Sequence, residues 1–255
     1  MIQIETDYVE NIPVLNIAPS DQADEELPTL IFLHGFTSSK EQNLSYAYLL
    51  AKEGIRVILP DFPHHGERAI HLSTKERNWK FWDIIVQGIT ELETVKNHYI
   101  EKGHINIERI GVAGTSMGSI TMFGALTQYD WIKLSVSMMG TPCYEDFANL
   151  MLKSLQNEGV ELPISIAELE EKFRSLKIFD LSQNPQLLGN RPLLIWHGEA
   201  DSVVPYQLTK RFYDKLLYNG YADTDQVHML TDQVAGHKVT RDACHQAVDW
   251  IIEHI

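Results

Sequence analysis

The stretch Gly114-Thr115-Ser116-Met117-Gly118 determines how the rest of the chain is interpreted. It follows an apolar run at 109–113 that is typical of a buried strand, and it precedes a segment at 119–128 that is compatible with a helix. A serine between two glycines at a strand-to-helix junction is typical of a nucleophile elbow, whose tight turn exposes the hydroxyl. Taken alone, the pattern fits equally well a glycine-rich turn that lets a helix pack closely on a strand.

Composition indicates an acidic globular protein. The formal net charge is −14 at pH 7, which would repel nucleic acid and anionic membranes, so we expect neither as a partner. No apolar run reaches the roughly 20 residues that a membrane-spanning helix needs. The acidic N-terminus is unlike a signal peptide, and Cys143 and Cys244 are too few for a disulfide framework. We therefore expect a cytoplasmic protein.

Strand-like and helix-like segments alternate along most of the chain. Apolar runs typical of strands lie at 28–33, 55–59, 109–113, 132–139, 192–196 and 226–230. Helical periodicity lies between these runs and after the last one. Such alternation predicts a mostly parallel central sheet with helices on both faces, which is an α/β fold. The length fits one domain spanning residues 1–255.

Three local patterns add detail. Residues 1–18 alternate apolar with polar side chains and predict a leading antiparallel hairpin. Ser38 and Glu41 have the spacing of a capping box, which predicts the start of a helix. The apolar spacing from Trp79 to Tyr99 predicts one long amphipathic helix.

The alternation breaks within 140–191, a segment of 52 residues. A plain crossover between parallel strands needs only about a dozen residues. Two helical patterns fit at 144–155 and 167–176, separated by Gly159 and Pro163. We interpret the segment as a helical cap or lid over the C-terminal edge of the sheet, and a long ordinary crossover is the alternative.

A serine nucleophile needs an oriented base, and candidate partners occur later in the chain. In this architecture they follow later strands in the order serine, acid, histidine. Asp201 follows the strand at 192–196 and is our choice for the acid, with Glu199 as the alternative. His237 follows the last strand, where Gly236 allows the tight backbone that a protruding imidazole needs.

Other polar groups near this edge suggest different chemistry. The stretch 64–67, His-His-Gly-Glu, could suggest a metal site together with His34. It lacks the ligand spacing of known zinc motifs, so we expect no metal, and we expect His34 to orient its own loop. We expect the loop at 60–73 to form one rim of the pocket, with Glu67 paired to Arg68. No phosphate-binding glycine loop is present, so nucleotide binding is not expected.

Four segments in the expected order resemble the α/β-hydrolase superfamily. They are Leu33-His-Gly-Phe36, Gly114–Gly118, His197–Pro205 and Gly236-His237. The resemblance is greatest to small bacterial esterases of the dienelactone-hydrolase and prolyl-oligopeptidase-like branch. It covers the chain from about Pro28 onward, apart from the segment at 140–191. Four matched segments are far more specific than any one of them.

The resemblance implies an α/β-hydrolase fold and a serine carboxylesterase that cleaves small acyl esters without a cofactor. It implies Ser116 as nucleophile, Asp201 as acid and His237 as base. In this fold the oxyanion donors are the amide after the nucleophile and one in the loop after an earlier strand, here Met117 and Phe36.

Two departures from the resemblance restrict the expected reaction. Dienelactone hydrolases use cysteine where this chain has Ser116, so lactone opening is not implied. The N-terminal propeller of the oligopeptidases has no counterpart, so peptide cleavage is not expected. A non-catalytic ligand-binding or scaffold protein of the same fold, or a thioesterase or acyltransferase, remains an alternative. The sequence leaves the oligomeric state open.

Overall fold

A central β-sheet of eight strands runs through residues 1–157 and 165–255, which are the residues that this computed structural model describes. The strands are β1 Ile2–Val9, β2 Ile12–Pro19, β3 Leu27–Leu33, β4 Arg56–Pro60, β5 Ile105–Thr115, β6 Leu134–Met138, β7 Leu193–Gly198 and β8 Val227–Asp232. Their order across the sheet is β1-β2-β4-β3-β5-β6-β7-β8. The hairpin of β1 and β2 joins β4 in antiparallel orientation, and the other neighbouring strands are parallel. The predicted hairpin and mostly parallel sheet are therefore confirmed.

Helices cover both faces of this sheet, as predicted. They are α1 Leu44–Lys52, α2 Thr74–Trp79, α3 Phe81–Glu101, α4 Met117–Leu126, α5 Tyr144–Asn157, α6 Ile166–Ser175, α7 Tyr206–Tyr218 and α8 Arg241–His254. The core on one face includes apolar side chains of α1 and α8, such as Leu50 and Ala247. The core on the other face includes α3, α4 and α7, through residues such as Ile85, Phe123 and Phe212. Within the described ranges, no helix has both the length and the apolar content needed to cross a membrane.

One local prediction was wrong, and another was correct except for the start of the helix. The side chain of Ser38 does not begin a helix, because a short 3₁₀ helix at Lys40–Asn43 precedes α1 and its N-cap Ser39 makes no capping hydrogen bond. The long helix predicted from Trp79 to Tyr99 is present as α3, which begins at Phe81 because Trp79 is the last residue of the separate helix α2. The capping box instead lies at Ser73, whose hydroxyl and amide both bond the side chain of Glu76.

The segment at 140–191 contains both predicted helices, α5 and α6. The predicted break at Gly159 and Pro163 lies outside the described residues. Two short 3₁₀ helices, Leu176–Phe179 and Pro185–Leu188, then lead back to β7. These elements place α5 beside the C-terminal ends of the parallel strands, the edge where open α/β sheets bind their ligands.

Candidate active site

The turn between β5 and α4 holds Ser116 in a strained backbone conformation. Its φ is 54° and its ψ is −115°, in the left-handed half of the map that non-glycine residues rarely adopt. The amide of Ser116 donates to the carbonyl of Met138 at 2.8 Å, and the hydroxyl of Ser119 accepts from the Met138 amide at 2.9 Å. Neighbouring strand β6 thus fixes the turn, and Ser116 remains half-buried at its tip.

Two glycines let the loop after β3 approach this turn. A Cβ atom at Gly118 would collide with the carbonyl oxygen of Leu33, so only glycine fits where α4 crosses the end of β3. A Cβ atom at Gly35 would lie 3.6 Å from the Cβ of Ser116. The loop that carries Phe36 is therefore packed directly against the candidate nucleophile.

The structure brings together the three side chains that the sequence nominated. The Oγ atom of Ser116 lies 2.8 Å from Nε2 of His237. The Nδ1 atom of His237 lies 2.7 Å from Oδ2 of Asp201. The imidazole side chain is 20% exposed and the Asp201 side chain is fully shielded from solvent. These distances allow a proton to pass from the hydroxyl to an imidazole held by a carboxylate.

Backbone hydrogen bonds align the loops that follow β7 and β8. The amide of Ala200 donates to the carbonyl of Ala235 at 3.1 Å, and that of Glu199 donates to Asp232 at 2.8 Å. The carboxylate of Glu199 instead accepts from the hydroxyl of Thr231 at 2.8 Å. Glu199, the alternative acid, is thus directed toward β8.

The carboxylate of Asp201 is surrounded by donors. Its Oδ1 atom accepts from the amides of Val203 and Val204, at 2.8 and 3.0 Å. Burial raises the pKa of Asp201, but hydrogen bonds from His197, from His237 and from the Val204 amide outweigh burial and leave the pKa well below its ordinary value. The acid therefore stays ionised at neutral pH and can stabilise a neighbouring imidazolium.

His197 supports Asp201, and the sequence analysis did not single it out. Its side chain is fully buried. Its Nε2 atom lies 2.9 Å from the Val204 carbonyl and 3.3 Å from Oδ2 of Asp201, so one N–H donates toward both oxygens. Its Nδ1 atom has no hydrogen-bond partner among the described residues. The position of His197 at the end of β7, four residues before the acid, is the signal that could have identified it.

The expected oxyanion donors lie on the two elements that meet at Ser116. Met117 is the first residue of α4, and first-turn amides have no partner within their own helix. The N-terminal end of a helix also favours negative charge. Phe36 follows Gly35, and its ring packs edge-on against His65 and Phe81, with centroids 5.3 and 5.5 Å apart. Both amides thus belong to backbone that tertiary contacts fix.

The neutral imidazole of His34 holds the loop of Phe36 in place. Its Nδ1 atom donates to the carbonyl of Gly35 at 2.8 Å, and its Nε2 atom accepts from the amide of Phe62 at 3.1 Å. Burial lowers the pKa of His34 to about 4, although the Gly35 carbonyl favours the charged form. His34 therefore orients backbone, as expected.

A buried ion-pair network supports the same loop, and one predicted pair was wrong. The ammonium of Lys40 lies 2.8 Å from the carboxylate of Asp61 and 2.6 Å from that of Glu67. Arg68 is paired with Glu91 at 2.7 Å on both guanidinium nitrogens. Glu67 is directed to Lys40 and Arg68 to Glu91, so the two neighbours do not pair with each other.

A cavity of about 820 Å³ opens at Ser116 and His237. Its other described lining residues come from the loop of Phe36, from α2, α3 and α5, and from the loop of Asp201: Phe36, Thr37, Lys75, Asn78, Trp79, Phe81, Phe147, Met151, Ser154, Leu155, Val203 and Val204. The volume suits a small molecule, and most of the lining is apolar.

Helix α2 forms one wall of the cavity, so the prediction that the loop at 60–73 forms a rim was wrong. That loop contributes none of the described lining residues, whereas α2 contributes Lys75, Asn78 and Trp79. The capping box at Ser73 and Glu76 is the local signal that could have revealed α2 as a separate helix.

The sequence model of the prolyl oligopeptidase family, Peptidase_S9, matches residues 42–255. The chain belongs to the prolyl oligopeptidase family. Membership makes it an enzyme, a serine hydrolase, and confirms the branch of α/β hydrolases that the sequence motifs indicated.

Two curated proteins match nearly the whole chain. The provisionally named esterase YitV of Bacillus subtilis is 43% identical over 250 residues, which cover 98% of each protein. Esterase YjfP of Escherichia coli is 32% identical over 265 residues, which cover 100% of each protein.

Solved structures support the same fold at lower sequence identity. The protein TT1662 of Thermus thermophilus matches with a TM-score of 0.73 at 18% identity, over 99% of this chain and 98% of that one. Esterase Pf2001 of Pyrococcus furiosus matches with a TM-score of 0.64 at 20% identity, over 100% and 93%. The α/β-hydrolase fold is therefore confirmed.

Proposed function

We propose that this serine hydrolase is a carboxylesterase that cleaves small acyl esters with Ser116, His237 and Asp201 as its catalytic triad. The observation that carries the proposal is the unbroken chain of short contacts from the serine hydroxyl through the imidazole to the carboxylate. Ser116 and His237 line a largely apolar cavity that is large enough for a small ester. The similarity to esterase YjfP supports esters as the substrate class.

Each residue of the triad has a distinct role in the proposed reaction. His237 removes the proton from Ser116 as the hydroxyl attacks the ester carbonyl, and Asp201 holds the imidazole in the required tautomer. The imidazolium then protonates the departing alcohol, which leaves an acyl-enzyme. Water activated by His237 releases the acid and restores the serine.

The negative charge of the tetrahedral intermediate requires separate stabilisation. We assign it to the backbone amides of Phe36 and Met117, which lie on the two elements that meet at Ser116. A donor of this kind typically contributes roughly 3 kcal/mol to the transition state. Since the donors are backbone groups, the reaction needs no cofactor.

We assign residues 140–191 to a helical cap within a single α/β-hydrolase domain of residues 1–255. Helix α5 from this segment presents Phe147, Met151 and Leu155 to the cavity, at the spacing of one helix face. An apolar roof of this kind favours acyl groups of limited size over polar peptides.

Replacement of the nucleophile tests the proposal. Ser116→Ala should reduce hydrolysis of 4-nitrophenyl acetate to the background rate, because it removes the hydroxyl that contacts Nε2 of His237. The matched control Ser175→Ala removes an exposed serine outside the cavity lining and should retain full activity. Unchanged circular dichroism and melting temperature would establish that both variants fold. Turnover retained by folded Ser116→Ala would contradict the assignment.

A further inference from the structure

The cavity carries an unbalanced charge on one wall. Lys75, Asn78 and Trp79 occupy positions i, i+3 and i+4 of α2, so they share one face of that helix, and all three line the cavity. Apart from the titratable His237, Lys75 is the one ionisable side chain among the described lining residues. Among the described lining residues, the fixed charge is therefore positive, although the protein as a whole has a net charge of −14.

Two carboxylates that are close to Lys75 along the sequence have other partners. Glu76 points back to Ser73, whose amide and hydroxyl lie 2.8 and 2.7 Å from its Oε2 atom. Asp83, at the start of α3, is paired with Lys172 at 2.7 Å. No ion pair involves Lys75 in the described part of the chain. The ammonium group is available to a ligand.

Apolar side chains of α3 and α5 line the same cavity. Phe147 packs against Phe81 with centroids 6.2 Å apart, where α5 meets the start of α3. Met151 and Leu155 continue the apolar face of α5 within the lining of the same cavity. A ligand that fills this space meets apolar surface along its length and donors on one side.

We propose that Lys75 and Asn78 form an anion subsite, so that the preferred substrates are esters whose apolar portion ends in a carboxylate or a similar anionic group. This inference rests on the proposed esterase activity and names its substrate class. The ester carbonyl lies at Ser116, the apolar portion contacts the face of α5, and the terminal anion accepts hydrogen bonds from the Lys75 ammonium and the Asn78 amide. The exposed position of Lys75 keeps the anion partly hydrated, so the subsite selects among substrates rather than binding any anion tightly.

Matched ester pairs test the subsite. We would compare the 4-nitrophenyl monoester of suberic acid with the same compound methylated at its free carboxylate, because the two differ in charge but share the leaving group and the chain. The native enzyme should have the higher kcat/KM for the anionic ester. In Lys75→Met that value should fall roughly three- to tenfold, between the effect of an exposed ion pair and that of a charge-assisted hydrogen bond. The value for the methylated ester should change less than twofold.

Two further variants sharpen the comparison. Lys75→Glu should lower kcat/KM for the anionic ester more than Lys75→Met does, since it adds repulsion to the lost attraction. Lys80→Met removes a lysine next to α2 that is not among the lining residues, and it should leave the ratio of the two esters unchanged. Melting temperatures confirm that each variant is folded.

Outcomes separate the subsite from the activity on which it rests. If the native enzyme cleaves the methylated ester and Lys75→Met leaves the ratio unchanged, the anion subsite is wrong and the esterase assignment stands. An equal fall in Lys80→Met would also overturn it, because the effect would then reflect general charge. If native enzyme cleaves 4-nitrophenyl acetate but neither suberate ester, the anion subsite is wrong and the esterase assignment stands. If it cleaves none of the three esters, both proposals fail.

Discussion

Asp201 keeps its charge in a place where solvent does not reach its side chain. Burial raises its pKa, but His197, His237 and the Val204 amide donate to it and bring its pKa below the ordinary value. The carboxylate is thus prepared for the imidazolium that forms when His237 accepts a proton. The surrounding donors stabilise the ionised form of Asp201. A neutral side chain of the same size should therefore not replace the carboxylate.

Substitution of this acid measures its contribution. Asp201→Asn should lower kcat by roughly 10⁴-fold, because an amide in this position favours the wrong tautomer of the histidine. The matched control is Glu199→Gln, whose side chain bonds Thr231, and it should lower kcat less than twofold. Steady-state kinetics with 4-nitrophenyl acetate distinguish them. A larger loss in the control would make Glu199 the acid.

The neutral state of His34 predicts acid sensitivity. Burial lowers the pKa of His34 from 6.5 to about 4, so the unfolded chain binds a proton at a higher pH than the folded protein does. The contribution of His34 to stability is therefore complete above about pH 6.5 and is lost as the pH falls toward 4. Full protonation should cost roughly 3 kcal/mol.

Urea denaturation at several pH values between 7.5 and 4.5 measures this loss. The difference in unfolding free energy between the native protein and His34→Gln should shrink as the pH falls, because the variant has no group to protonate there. A difference that stays constant would show that His34 is not the acid-sensitive group.

At the scale of secondary-structure elements, one lysine joins two loops around the site. Lys40 is the first residue of the 3₁₀ helix that follows the Phe36 loop. Its partner Asp61 is the first residue after β4. The side chains of both residues are essentially inaccessible to solvent. Removal of one charge from such a pair leaves the other buried and uncompensated.

Lys40→Met should therefore destabilise the protein by about 3 kcal/mol, the lower part of the range for a broken buried pair. An exposed pair offers the comparison: Lys210→Met breaks the bridge to Asp214 on α7 and should cost less than about 0.5 kcal/mol. The free energies of unfolding in urea give both values. Equal losses of unfolding free energy in the two variants would show that burial of Lys40 does not increase its contribution to stability.

Elements with strong periodicity were predictable, whereas the cavity wall was not. The alternation of apolar runs with helical spacing gave the sheet, the hairpin and the positions of α5 and α6. The division of α2 from α3 depends on Lys80, whose backbone remains near helical angles, so periodicity continues across it. Recognition of α2 as a cavity wall required the tertiary packing of Phe81 against Phe36 and Phe147.

Candidate site residues were predictable for a topological reason. Parallel strands end at one edge of the sheet, so residues that follow β5, β7 and β8 meet there although they are far apart in sequence. Ser116, Asp201 and His237 could be nominated from their places after those strands. The supporting role of Lys40 could not, since it depends on which buried carboxylate its side chain contacts, whereas the place of His197 at the end of β7, four residues before the acid, is a signal in the sequence.

For the molecule as a whole, the proposed activity depends on one reactive serine that is activated by residues from distant parts of the chain. The most direct measurement is labelling of folded protein with a fluorophosphonate, followed by mass spectrometry of the intact chain and its peptides. We predict a single adduct on Ser116, no adduct in Ser116→Ala, and much slower labelling in His237→Ala. Absence of labelling in folded native protein, or an adduct on another serine, would contradict the central claim.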